Sequence, residues 1–309
     1  MSRTIWMLSL TAAAQLGCAL SSHATVASPL GTARSSDELV ALLKTPGPIE
    51  LETIASCDWE VDRSGLINLN HPRAKEAGLE EGPEPIQVFF HVLRHPTEGT
   101  FLVDTGVEKA LRDDPERAAT QGLVAKLLHV ERMTFLMPLG AWLAKEPAPP
   151  AGVFLTHLHV DHVSGVPDLP ATVPLYAGAG ETEARRLQNL VVAPNINRAL
   201  AGKGAIREWP VSADPAKRFA GAVDIFGDGS VWALSVPGHT HGSTAYLVRS
   251  TQGPVLLTGD ASHTRWGWEH DVEPGTFSDE KPGDAASLAA LRAFVAAYPE
   301  IEVRFGHQR

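Results

Sequence analysis

The sequence predicts an α+β fold in which β-sheets pack face to face and helices cover their outer sides. Three observations lead to this prediction. The chain has 309 residues and is 44% hydrophobic, which suffices for a large core. Short β-like runs recur in both halves of the chain, and segments with helical spacing of apolar residues lie between some of them. No short-period repeat is visible, so a repeat architecture is not predicted.

The N-terminal half is organised around a predicted β-hairpin. Residues 86–93 and 100–103 are β-like runs that flank a turn sequence at 95–99. A short strand of buried type at 153–156 leads directly into His157. Further elements are predicted as strands at 49–56 and 173–176 and as helices at 36–44, 116–130 and 181–190.

The C-terminal half is predicted to contain four strands and one long helix. The strands span 231–236, 244–249, 255–258 and 301–305, and the helix spans 284–298. Three of these strands end just before a histidine or an aspartate that can bind a metal.

Charge and cysteine content restrict the possible functions. The formal net charge is -10 and Lys and Arg form no clustered run, so nucleic acid is not an expected partner. The two cysteines, Cys18 and Cys57, form no disulfide framework and no CxxC pair. Any metal site must therefore use nitrogen and oxygen ligands, and we expect Cys57 to be a buried structural residue.

Residues 1–27 are predicted to be a signal peptide or lipoprotein leader, followed by a single domain over 28–309. Arg3 supplies positive charge, residues 5–20 are mostly apolar, and small residues follow. The protein is therefore expected to be exported to the periplasm or beyond the cell. The alternatives are an uncleaved anchor or a lipoprotein attached through Cys18. No other segment is long enough to span a bilayer.

The strongest chemical signal is a cluster of four metal-binding side chains within six residues: His157, His159, Asp161 and His162. Alternation in an extended segment points His157 and His159 the same way. A turn after Val160 would aim the other two at a neighbouring point. Three crowded imidazoles and a carboxylate are costly without a cation, so the motif predicts divalent metal, with zinc favoured by imidazole and carboxylate ligands.

Three further candidate ligands follow predicted strands: His239, Asp260 and His307. A small glycine precedes each of them and lets the backbone approach a shared site closely. A single histidine after a strand is usually structural, but the context common to all three favours metal binding. Ligands that follow four different strands can all reach the same edge of such a fold.

Taken in chain order, the HxHxDH, PGHT, TGD and GH motifs resemble those of the metallo-β-lactamase superfamily, as does the upstream Asp104-Thr105-Gly106. The resemblance covers roughly residues 86–309. It implies an αββα sandwich, with two mixed β-sheets flanked by helices and the site at one edge. It also implies two metal ions per chain, either zinc or another divalent transition metal.

The resemblance further assigns the ligands and the catalytic residues. It places His157, His159 and His239 on one metal and Asp161, His162 and His307 on the other, with Asp260 bridging both. Asp104 is expected to support the site and not to bind metal. The candidate catalytic residues are Asp161, Asp260 and His263.

Among the branches of the superfamily, the pattern is most similar to the N-acyl-homoserine lactonases, because a bridging aspartate is present and zinc β-lactamases lack it. His263 stands where those lactonases often have a tyrosine. The predicted function is a dinuclear hydrolase in which a hydroxide shared by the metals attacks the carbonyl of a lactone or related ester. His263 would donate a hydrogen bond to the oxyanion of the tetrahedral intermediate. The alternative is that His263 forms a hydrogen bond to one of the metal ligands.

Three alternative functions remain open: hydrolysis of β-lactams, hydrolysis of phosphoesters, and non-catalytic binding of metal by an exported protein. The expected partner is a small-molecule substrate, and the oligomeric state is not predicted. An apolar patch lines the substrate pocket or belongs to the core; its residues are Met133, Phe135, Leu136, Met137, Leu139 and Trp142, with Trp266 and Trp268 as further candidates.

Overall fold

The computed structural model describes residues 18–308, so the first 17 residues of the predicted leader lie outside the described part of the chain. The strands in this part are β1 (Cys18–Ala19), β2 (Thr25–Ala27), β3 (Thr32–Ala33), β4 (Glu50–Asp62), β5 (Pro83–His95), β6 (Gly99–Val103), β7 (Thr134–Phe135), β8 (Gly152–Phe154), β9 (Leu175–Ala177), β10 (Arg185–Arg186), β11 (Ile206–Glu208), β12 (Gly221–Asp224), β13 (Val231–Ser235), β14 (Thr244–Ser250), β15 (Gly253–Leu257) and β16 (Glu302–Arg304). The α-helices are α1 (Ser36–Leu42), α2 (Arg63–Leu66), α3 (Pro72–Glu76), α4 (Lys109–Asp113), α5 (Gly122–Leu127), α6 (Leu139–Leu143), α7 (Val160–Val163), α8 (Asn189–Ala199), α9 (Arg265–His270) and α10 (Lys281–Ala297).

Two mixed sheets form the central layers. The eight-stranded sheet has the order β2-β11-β9-β8-β6-β5-β4-β7, and the six-stranded sheet has the order β16-β15-β14-β13-β12-β3. In the first, β6, β8, β9 and β11 pair in parallel while β4, β5 and β6 pair antiparallel. In the second, only β15 and β16 pair in parallel. The predicted α+β class with two mixed sheets is confirmed.

The hairpin and the short strand after it follow the sequence prediction. The antiparallel pairing of β5 and β6 ends at His95 opposite Gly99, whose φ of +94° suits glycine. The three residues of β8 are all buried, as expected of an interior strand in the parallel part of a sheet. Both elements therefore form where their local patterns predict them.

Aromatic side chains fill the space between the two sheets. Phe154 at the end of β8 stacks on Phe101 with ring centroids 5.0 Å apart and on Tyr246 with centroids 5.9 Å apart. The edges of Tyr176 and Trp209 pack against it from the remaining sides. All five side chains are buried. This packing holds β8 rigidly, immediately before the HxHxDH segment begins.

Helices cover the outer face of each sheet. Leu39 of α1 and Leu291 of α10 pack in one buried cluster with Leu247 of the six-stranded sheet. Ile196 of α8 packs in another cluster with Val153 of the eight-stranded sheet. The layer order is therefore helix, sheet, sheet, helix, as the resemblance implied.

Two helix predictions are wrong in their extent. The helix predicted at 181–190 is absent over residues 181–188: a short strand occupies 185–186, and α8 begins only at Asn189. The reason is a long-range contact, since the Glu181 carboxylate accepts hydrogen bonds from two distant loops and so holds this segment in place. The helix predicted at 116–130 is limited to α5, which begins at Gly122, and the φ of +63° at that glycine prevents the helix from extending further back.

The N-terminal residues 18–27 contribute to two sheets. β1 pairs antiparallel with β10, and β2 pairs in parallel with β11. Removal of a leader remains a prediction from the sequence. No helix among residues 18–308 combines the length and the apolar character that crossing a bilayer requires.

Candidate metal centre

Four strand ends from the two sheets meet at one edge of the sandwich. His157 and His159 lie between β8 of the eight-stranded sheet and α7, and Asp161 and His162 lie within α7. His239 follows β13, Asp260 follows β15 and His307 follows β16, all in the six-stranded sheet. Because both sheets supply side chains to this edge, the site depends on the packing of one sheet against the other.

Three histidines form a first group of facing nitrogens. His239 Nε2 lies 3.2 Å from His157 Nε2 and 2.9 Å from His159 Nδ1. Burial lowers the pKa of His157 and His239 well below the ordinary value, which favours the neutral form that binds metals. Three such nitrogens at this spacing fit the tetrahedral sites in which zinc binds three protein nitrogens.

A second group consists of Asp161, His162, Asp260 and His307, whose potential ligand atoms all lie within 4.8 Å of one another. Asp260 Oδ2 is 3.3 Å from His162 Nε2, and His307 Nε2 is 3.3 Å from Asp161 Oδ2. Burial lowers the pKa of His307, but Asp260 and Asp161 outweigh it and raise that pKa to about 10. In the absence of metal the two carboxylates therefore favour a proton on His307, and a divalent cation would take the place of that proton.

Asp260 lies between the two groups. Its Oδ2 is 3.4 Å from His239 Nε2 and 3.7 Å from His157 Nε2, as well as close to the nitrogens of the second group. Its other oxygen, Oδ1, and His162 Nε2 are buried with no hydrogen-bond partner in the described part of the chain. Buried polar atoms without partners are rare. This donor set, nitrogen-rich on one side and carboxylate-rich on the other, fits a pair of divalent ions.

The two histidines of the second group are held in the tautomer that metal binding needs. His162 Nδ1 lies 2.8 Å from Asp104 Oδ2, and His307 Nδ1 lies 2.9 Å from the Gln87 carbonyl oxygen. Both partners accept, so each Nδ1 carries a hydrogen, and each Nε2 can offer its lone pair to a cation that takes the place of the second proton. Asp104 also accepts from the backbone and hydroxyl of Thr156, so it supports the site without joining the ligand cluster.

Glu181 is a functional residue that the sequence did not reveal. Its buried carboxylate accepts from Leu158 N at 2.8 Å, from Thr240 Oγ1 at 2.8 Å and from Gly242 N at 2.8 Å. Burial raises the pKa of Glu181 to about 7, although these three donors lower it. The side chain ties the HxHxDH loop to the loop that carries His239. No local sequence pattern indicates this role, because all three donors are distant in the chain.

His263 contacts the shared carboxylate directly. Its Nε2 lies 3.0 Å from Asp260 Oδ2, and its Nδ1 lies 3.1 Å from the Leu66 carbonyl oxygen. The carbonyl can only accept, so Nδ1 carries a hydrogen and Nε2 faces Asp260. The structure thus brings the eight predicted site residues together: the seven candidate ligands and His263.

A cavity of about 260 Å³ opens above this cluster. Its floor contains His159, Asp161, His239, Asp260, His263 and His307. The walls around the floor are mostly apolar and contain Trp59, Val61, Leu66, Ile86, Leu128, Val192 and Phe277, together with the polar residues Gln188, Asn189 and Thr276.

The apolar patch suggested as a pocket lining is not part of these walls. Leu139 and Trp142 lie in the hydrophobic core, and Met133 and Phe135 line a separate groove. Trp266 and Trp268 pack against two other core clusters. Hydrophobic periodicity identifies burial but does not distinguish a pocket wall from a core, so the true lining was not predicted.

Comparisons with known proteins agree with this geometry. A family model described as the metallo-β-lactamase superfamily matches residues 83–307. The chain is 29% identical over 205 residues to the N-acyl homoserine lactonase AttM of Azorhizobium caulinodans, covering 62% of this chain and 70% of that protein. It is 29% identical over 220 residues to an N-acyl homoserine lactonase of a Bacillus species, covering 68% of this chain and 77% of that protein.

A solved structure of a quorum-quenching N-acyl homoserine lactone lactonase superposes with a TM-score of 0.59. The two proteins are 20% identical, and the superposition covers 85% of this chain and 93% of the other. At this identity the likeness concerns the fold alone.

Replacement of Gly306 by alanine should displace the shared carboxylate. A Cβ at this position would lie 2.3 Å from Asp260 Oδ1 and 2.9 Å from the Gly259 carbonyl oxygen. We expect zinc affinity, measured by competition with a chromophoric chelator, to fall by about 10- to 100-fold. The matched control is Gly204→Ala, because nothing lies within 4 Å of a Cβ there. Equal affinity of the two variants would show that Asp260 does not bind the metal.

Proposed function

Since the chain belongs to the metallo-β-lactamase superfamily, we propose that it is a metal-dependent hydrolase that opens lactones, acyl-homoserine lactones being the favoured class. The observation that carries the proposal is the position of Asp260. Its Oδ2 lies 3.3 Å from a histidine of one group and 3.4 Å from a histidine of the other, at the floor of an apolar cavity. The lactonases that match the sequence support the same assignment.

We propose two zinc ions: His157, His159 and His239 would hold one and Asp161, His162 and His307 the other, and Asp260 lies close enough to both groups to serve either. Imidazole and carboxylate are ligands that zinc accepts readily. When bound, such ions lower the pKa of a water molecule toward ~7 and polarise a carbonyl oxygen. The protein's part is to hold these ligands rigidly and to shape the cavity above them.

Proton transfer is assigned to Asp260 and His263. Opening a lactone breaks the ring C–O bond, and the departing alkoxide must gain a proton to become a hydroxyl. His263 exchanges protons only at Nε2, because its Nδ1–H is bonded to the Leu66 carbonyl. That Nε2 is 3.0 Å from Asp260 Oδ2, so the pair can hold a proton at the cavity, where a bound substrate could take it up.

The walls of the cavity favour a substrate with a hydrocarbon chain. Leu128 and Val192 form part of the apolar wall. Phe277 lines the same cavity and is 38% exposed. Part of the apolar wall therefore reaches the outside, which suits an acyl chain longer than the cavity itself.

We also propose that the protein acts outside the cytoplasm. The support is in the sequence, where Arg3, an apolar run and then small residues form the pattern of an export leader.

The proposed activity is tested by assaying the purified full chain on four substrate classes. The panel contains acyl-homoserine lactones of short and long chain, a β-lactam, a thioester and a phosphodiester, each with and without chelator. We expect kcat/KM to be highest for lactones and to rise with chain length. Chelator should abolish turnover and zinc should restore it. Turnover that resists chelation, or a β-lactam or phosphodiester hydrolysed as fast as the lactones, would contradict the proposal.

The role of His263 is tested by His263→Gln. Loss of proton transfer should lower kcat about 10²- to 10⁴-fold, with little change in KM. Bound zinc, measured by elemental analysis, should be unchanged. The control is His270→Gln, which alters an exposed histidine outside the lining of the cavity and should leave both constants unchanged. Loss of zinc in the His263 variant would instead make His263 a metal ligand.

A further inference from the structure

The start of α10 lies directly behind the loop that carries His239. The backbone of Asp279 donates to the His239 carbonyl at 2.9 Å, and that of Glu280 donates to the Gly238 carbonyl at 2.9 Å. Gly238 has a φ of +147°, and a Cβ there would lie 2.1 Å from Asp284 N. The ligand loop and the first turn of α10 are therefore fitted closely to each other.

Asp284, in this first turn, is buried without an adequate partner. Its exposed fraction is 0%, and neither carboxylate oxygen has a hydrogen-bond partner within the described chain. Burial raises the pKa of Asp284 to about 8, while the Ser278 hydroxyl nearby lowers it. A buried carboxylate of this kind is unfavourable for folding, so its presence calls for a role other than stability.

Ser278 connects this carboxylate to the metal centre. His239 Nδ1 lies 3.1 Å from Ser278 Oγ, on the side of the ring opposite to the facing nitrogens. When Nε2 binds a metal, Nδ1 must carry the hydrogen and donate it to Ser278 Oγ. The serine hydroxyl then has its own hydrogen available, and the nearby Asp284 carboxyl, which has no partner in the described chain, is free to accept it.

We propose that Ser278 and Asp284 are positioning residues that hold His239 for metal binding, a relay that rests on the proposed metal centre. His239 donates to Ser278, and Ser278 donates to the Asp284 carboxylate. This connection holds the ring in one orientation and in the tautomer whose Nε2 is free to bind a metal. His162 obtains the same support from direct contact with Asp104, at 2.8 Å. For His239 the proposed path to a carboxyl group is one residue longer, because the hydroxyl of Ser278 stands between the imidazole and Asp284.

The relay is tested by Asp284→Asn, Ser278→Ala and the double variant, with two measurements on each. The first is the unfolding temperature of the metal-free protein, and the second is zinc affinity by chelator competition. Asp284→Asn replaces a buried carboxyl that has no hydrogen-bond partner in the described chain by an uncharged amide of the same shape, so the metal-free protein should unfold at an equal or higher temperature. Zinc should nevertheless bind about 10- to 100-fold more weakly to either single variant.

The double variant distinguishes a relay from two separate effects. Because Ser278 and Asp284 act in series, zinc affinity of the double variant should equal that of the weaker single variant within about twofold. Multiplied losses would overturn the relay, as would an Asp284→Asn protein that unfolds earlier but binds zinc normally.

Asp214→Asn is the matched control. Asp214 is also buried, but its carboxylate accepts from Ser36 N at 3.0 Å, Ser36 Oγ at 2.7 Å and Arg218 N at 3.0 Å. This variant should unfold earlier and bind zinc normally, which is the reverse of the pattern expected for Asp284→Asn. Wild-type protein that binds zinc but opens no lactone would overturn the proposed function, and the affinities would still decide the relay.

Discussion

The constraint that governs this structure is the close approach of five histidines and two aspartates at one edge of two packed sheets. Nitrogens of His157, His159 and His239 face one another, and a buried carboxylate oxygen of Asp260 has no hydrogen-bond partner in the described chain. Lone pairs of neutral imidazoles that face one another, and a buried carboxylate oxygen without a partner, are unfavourable unless a cation lies between them. The fold stabilises an arrangement that only a cation completes.

Buried packing and hydrogen bonds hold the residues of this cluster in place. The aromatic packing around Phe154 fixes the strand that precedes the HxHxDH segment. Glu181 ties that segment to the loop of His239, and Asp104 holds His162. Ligands placed by packed strands and hydrogen-bonded loops keep their geometry through a reaction, so the protein spends little free energy on reorganisation at the site.

Much of the fold and of the candidate site could be predicted, because the signals are local. The hairpin of β5 and β6, the short strand β8 and the close spacing of the HxHxDH residues are visible in short windows of sequence. Glu181 and the pocket walls were missed for a physical reason: the hydrogen bonds of Glu181 reach Leu158 and Gly242, and Trp59 joins Phe277 at the cavity only after folding. Local periodicity carries no information on such long-range contacts.

The most direct test of the account is the number of zinc ions bound by the folded chain, measured by native mass spectrometry after removal of free metal. The account predicts two ions in the wild-type protein and at most one in Asp260→Asn, because this carboxylate contacts both ligand groups. A wild-type protein that binds no zinc, or an Asp260→Asn variant that keeps two ions as tightly as the wild type, would contradict it.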